Sequence, residues 1–131
     1  MCWSDNKAIP IVLKKPLRVY KLGTLTVLGN FISLYQQTWY NKNKIMPTVE
    51  IRPEFMRRDP CVPEEMLWEC DTFYIYEGYH SYLTEEMAKY RSNEYDDIGV
   101  FEIPAGATIY VNYQYREVVS TNIEYLGKLE L

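Results

Sequence analysis

The chain has 131 residues, 47% of them apolar, and its 18 acidic and 14 basic side chains leave a formal charge of −4. That size and composition fit one globular domain and argue against a disordered chain. The acidic balance excludes a protein that coats duplex nucleic acid, because such binding rests on neutralised phosphates.

In chain order, Met1 to Ala8 reads as a loose lead-in, with Ser4, Asp5, Asn6 and Lys7 offering little to bury. Ile9 to Leu13 is a short apolar run broken by Pro10, an edge strand at best, since proline cannot donate to a ladder. Leu17 to Leu28 alternates with a break at Gly23, predicting a hairpin or one long strand kinked at the glycine. Phe31 to Tyr40 mixes both periodicities and reads as strand or mixed turn. The polar turn Asn41 to Lys44 leads to Ile45–Ile51, where Pro47 again suggests an edge. Arg52 to Glu65 carries Pro53, Pro60 and Pro63, which forbid a continuous helix or central strand. Its Arg52, Arg57 and Arg58 make either a solvated loop or a sharper device, an anion-holding segment or a lid.

Met66 to Cys70 could add a helical turn after Pro63-Glu64-Glu65. Asp71 to Tyr76 is a predicted strand, and Glu77-Gly78 leads into a tight loop, Y-H-S-Y-L. Thr84 is a good N-cap, with Glu85 and Glu86 in the first turn of a helix that ends near Ser92-Asn93. Gly99 precedes the strand Val100 to Ile103, and Pro104-Ala105-Gly106 makes a turn. Thr108 to Tyr113 then pairs with Arg116 to Ser120, and Asn122 to Leu131 is a last strand around Gly127. The sum is a single domain over residues 1–131. Its fold class is α+β, a mainly antiparallel, twisted sheet of about eight short strands with one or two short helices packed on it. The surplus of aromatics, 13 Tyr, 4 Phe and 3 Trp, suits such half-buried pleated surfaces and could also supply a contact surface.

Cys2, Cys61 and Cys70 form no C-x-x-C pair, and one histidine cannot complete a usual zinc set. No metal is expected, and the cysteines read as small apolar residues in a reducing compartment. Neither a signal peptide nor a run of about 18 apolar residues is visible, so a cytosolic protein without a membrane partner is expected.

Two places could carry chemistry. His80, with the hydroxyls of Tyr79, Ser81, Tyr82 and Thr84 around it, could grip a polar ligand, and the Thr84 cap could offer a weak anion site. The plainer reading is a structural histidine. Glu117, in Y-R-E-V-V-S, could face a pocket and hold a ribose hydroxyl or an oxocarbenium-like charge; the plainer reading is an outward strand acid. Serine-hydrolase elbows and the usual phosphate loops are not present.

The order R18-V-Y, G78-Y-H-S-Y-L-T…A88, I103-P-A-G and Y115-R-E-V resembles the ADP-ribosyltransferase-like group. That resemblance implies NAD as cosubstrate, Arg18 holding the dinucleotide, Ser81 supporting the pocket and Glu117 as the catalytic carboxylate, with Tyr115 where the family carries Glu or Gln. The string G78-Y-H-S-Y, A88, I103-P-A-G, Y110 and S120-T-N-I is more closely similar to a set of small proteins of gut Bacteroides-type phages. This match covers about the last third of the chain and implies a phage accessory protein, acting in the host cytosol or in the virion.

Three functions follow as expectations. The first is a non-catalytic binding protein with no cofactor, capturing a nucleotide-type ligand or a host protein. The second is a mono-ADP-ribosyltransferase. The third is a virion component whose tyrosine-rich β-surface mediates assembly, with homo-oligomers possible. The ligand-binding set common to the first two is Arg18, His80, Ser81, Tyr82, Thr84, Tyr115 and Glu117.

Overall fold

In the computed structural model, residues 3–56 and 72–130 are described. They form twelve strands and one helix, all strand pairs running antiparallel. The strands are β1 (Trp3–Asp5), β2 (Ile11–Val12), β3 (Leu17–Leu25), β4 (Phe31–Ser33), β5 (Trp39–Tyr40), β6 (Glu54–Met56), β7 (Thr72–Ile75), β8 (Tyr79–Tyr82), β9 (Asp97–Ile103), β10 (Thr108–Asn112), β11 (Glu117–Ser120) and β12 (Glu124–Lys128). The helix, α1, spans Glu85–Arg91. The α+β, mainly antiparallel expectation holds, but twelve strands in two sheets replace the expected eight or so.

The large sheet has the order β12-β9-β3-β8-β11-β10-β2, with β4 and then β5 added beside β3. β3 is its axis. Seven successive residues pair with β9, from Leu17↔Ile103 to Gly23↔Asp97. Gly23 lies inside one continuous strand, and a Cβ there would sit 2.0 Å from the Ile32 carbonyl oxygen and 2.8 Å from the Phe31 ring. Glycine is thus required for close approach of β4.

Register sorts side chains onto two faces, because partners directly opposite one another share a face. On the core face, Val19, Tyr79, Phe101, Ile103, Ile109 and Val118 pack with Phe31, Tyr40 and Tyr125 in the main hydrophobic cluster. The opposite face is covered twice. Leu22, Tyr82 and Ile98 pack under Ala88 of α1, while Tyr110 and Val119 pack under Trp3 and Ile75. This second cover is the small sheet, ordered β1-β7-β6.

The stretch expected to be a loose lead-in therefore contributes a strand. Trp3, the anchor of β1, is buried, and the Asn112 side-chain amide donates to the Ser4 carbonyl at 2.6 Å. Polar neighbours hid one large aromatic. The expected tight loop after Gly78 is also a strand: β8 is buried at all four positions and sits in mid-sheet. Ile45–Ile51, expected as an edge strand, makes only an isolated bridge, Ile45↔Glu124, with Met46 and Val49 N–H groups reaching Ile123 and Thr121 carbonyls. Pro47 interrupts it, having no N–H to give.

The β10–β11 hairpin, the edge position of β2, and α1 with its Thr84 cap fall where expected, while Phe31 to Tyr40, read as strand or mixed turn, folds into the hairpin of β4 and β5. Of the proline-rich stretch, Glu54–Met56 is β6. Arg57, Arg58 and the expected helical turn at 66–70 lie outside the described residues. No helix among the described residues is long and apolar enough to cross a membrane.

Candidate functional site

β8 stands between β3 and β11 and presents the residues of interest alternately to the two faces. Its ladder with β11 runs from Glu117↔Tyr82 to Ser120↔Tyr79, whereas β3 meets it only at Tyr20↔Tyr82. Continued by two residues, that register would bring Leu22 opposite His80. Instead the strands separate. The two carbonyls that face the gap find other donors: Leu22 O accepts from Leu34 N at 2.8 Å, and His80 O accepts from the Lys21 ammonium.

Lys21 is the unexpected member. It is 4% exposed, on the core face, with its Nζ 5.3 Å from the Tyr40 ring centre and 5.7 Å from that of Phe101. Burial pulls its pKa down to about 7. The signal was present in the sequence, since the alternation that turns Val19 inward also turns Lys21 inward.

His80 is 1% exposed and faces the covered side of the sheet. Its Nε2 lies 3.2 Å from the Tyr76 carbonyl and 3.0 Å from that of Glu77, so the proton sits on Nε2. The Tyr35 ring meets it edge-on at 4.7 Å. Burial, and then the positive charge of Lys21, lower its pKa to about 4, so the ring is neutral at physiological pH. Between Lys21 and His80 lies a cavity of about 30 Å³, walled also by Leu22, Ser33, Leu34, Tyr35 and Tyr82.

The expected constellation is only partly assembled. Tyr20, Tyr82 and Glu117 form one cross-strand row on the helix-bearing face. Glu117 is half-buried there, and desolvation raises its carboxyl, opposed by Arg91 at the end of α1. Desolvation raises the Tyr82 phenol, and the Glu117 charge raises it further. Arg18 shares that face but lies toward the Thr84 end of β8, roughly 12 Å from Glu117 and roughly 14 Å from His80 by strand spacing and rise. Ser81 points to the other face, fully buried, its hydroxyl without a partner among the described residues. Arg18, Ser81 and Glu117 therefore do not converge on one cleft.

Thr84 uses its Oγ1 to accept from Met87 N at 3.2 Å, and Glu85 and Glu86 fill the first turn. Tyr115 is exposed in the β10–β11 turn, its N–H bonded to Asn112 Oδ1 at 3.0 Å.

No family model matches the chain, and no curated protein or solved structure matches it either. The residues behind the phage-type resemblance can still be placed. His80, Ser81, Ala88, Ile103, Tyr110, Ser120 and Ile123 are all buried. At Gly78 (φ +82°) a Cβ would lie 2.7 Å from Val119 Cγ1. These positions hold the scaffold together.

Proposed function

We propose that the protein is a non-catalytic binding protein whose target is another protein, a host factor if the phage-type resemblance reflects its origin. One observation carries this reading. Where α1 and the small sheet leave the covered face of the large sheet, a strip on β3, β4 and β5 stays bare among the described residues. Thr24, Ile32 and Trp39 form a cross-strand row on it. With Ser33, Leu34 and Gln37 they line a groove of about 360 Å³. Trp39 is 59% exposed and Leu34 62%. Val27 and Leu28 stand out fully at the neighbouring β3–β4 turn. Large apolar side chains gathered on one side of a small domain mark contact surfaces, and tryptophan is prominent among interface anchors.

Capture of a nucleotide near His80 is less well supported. Pockets for such ligands run to hundreds of cubic ångströms, whereas the space beside His80 is about 30 Å³. Transferase chemistry would need Arg18 and Glu117 on a common dinucleotide, with Ser81 alongside, and Ser81 faces away from both.

The test uses immobilised wild-type protein beside the Leu34→Ser and Trp39→Ser variants. A host protein held by the wild type and lost by both variants, at unchanged melting temperature, is the expected result. Thermal shift with NAD, ADP-ribose and cyclic oligonucleotides should be flat. A concentration-dependent rise with any of them, or nicotinamide release from NAD that Glu117→Ala abolishes, would overturn the reading.

A further inference from the structure

The gap between β3 and β8 leaves one hydrogen-bonding account open. A neutral imidazole with its proton on Nε2 has a lone pair on Nδ1, and that atom is buried without a donor among the described residues. Across the cavity, Lys21 Nζ carries three donors as an ammonium, and the His80 carbonyl accepts one of them. No carboxylate lies within ion-pair distance of Lys21 among the described residues. An acceptor without a donor and a donor group with hydrogens to spare thus belong to two residues that line one small cavity. Buried groups of this kind are rarely left unmet, because each forfeits the hydrogen bond that water would have given it.

We infer that the cavity binds a single water molecule, which accepts from Lys21 Nζ and donates to His80 Nδ1. Size and chemistry agree. Roughly 10–15 Å³ suffices for one water, and the cavity offers about 30 Å³. Ser33 cannot supply the missing donor, since its hydroxyl already donates to the Tyr35 carbonyl at 2.6 Å. A halide would answer the ammonium charge but would set an anion against the Nδ1 lone pair, whereas water both accepts and donates. The consequence is a side-chain-and-water bridge across the opening, in place of the missing ladder.

An atomic-resolution crystal structure of the intact chain tests this directly. The expected result is one density peak within about 2.7–3.2 Å of both Lys21 Nζ and His80 Nδ1. An empty cavity, or a direct bond between the two nitrogens, overturns it. Crystals soaked in sodium bromide add a second arm, and an anomalous peak in the cavity would make the occupant an anion. In solution, water–protein NMR cross-peaks should report a long-lived water near the His80 ring, with ring ¹⁵N shifts of the Nε2–H tautomer. Cross-peaks that persist unchanged in Lys21→Met would also overturn the bridge. If that variant fails to fold, the wild-type crystal and NMR arms decide alone.

Discussion

At the scale of single residues, Lys21 and His80 set how stability responds to pH. Lys21 has a folded pKa of about 7 against an ordinary 10.5, so between those values the unfolded chain binds more protons than the folded one. Stability therefore rises as pH climbs through that window. His80, held near 4 from 6.5, acts with the same sign between those two values. Above pH 10 the sign reverses, because burial raises the Tyr40, Tyr79, Tyr82 and Tyr125 phenols. Thermal melts from pH 5 to 11 should show a maximum near pH 9–10. Lys21→Met should flatten the climb between pH 7 and 9, and a wild-type maximum near pH 6 would contradict this account. Gly78→Ala tests a steric point instead. With φ at +82° and Val119 Cγ1 2.7 Å from the new Cβ, it should cost about 2–3 kcal/mol in chemical denaturation.

At the scale of elements, α1 is short enough that its cap matters. Thr84 Oγ1 satisfies one first-turn N–H, and the Lys89–Glu85 pair at 2.9 Å ties the exposed side. Thr84→Ala should lower stability by about 1 kcal/mol, read from urea unfolding, with little change in the native circular dichroism. This helix was legible from sequence because its signals are local: a capping hydroxyl, acids in the first turn, Ser92-Asn93 at the end. So were the β10–β11 hairpin and the Pro104–Gly106 turn. β8 was not. Gly78 and the run of hydroxyls in Y-H-S-Y imitate a turn, and only burial on both faces makes those residues a central strand. β1 failed for a related reason, since three residues carry no periodicity and Trp3 acts through Ile75 and Tyr110 far along the chain.

At the scale of the molecule, the two covers on one sheet face differ from the bare strip beside them, and substitutions should separate them. Trp3→Ala should cost about 3–5 kcal/mol, because a large buried aromatic is lost from the contact between the sheets. Trp39→Ser, on the exposed strip, should stay within about 0.5 kcal/mol of wild type. Equal losses in the two variants would mean that the strip is packed in solution. The site was less legible than the fold. Glu117 and His80 do lie on one face, yet the residue facing the cavity with His80 is Lys21, which no motif marks. The axial strand β3 has one more consequence. Its partner in the longest ladder is β9, so Leu17 must wait for Ile103. During synthesis the first quarter of the chain cannot settle until most of the remainder has left the ribosome. Folding should accordingly be slow for a protein this small, on the millisecond-to-second scale of folds built from distant pairings.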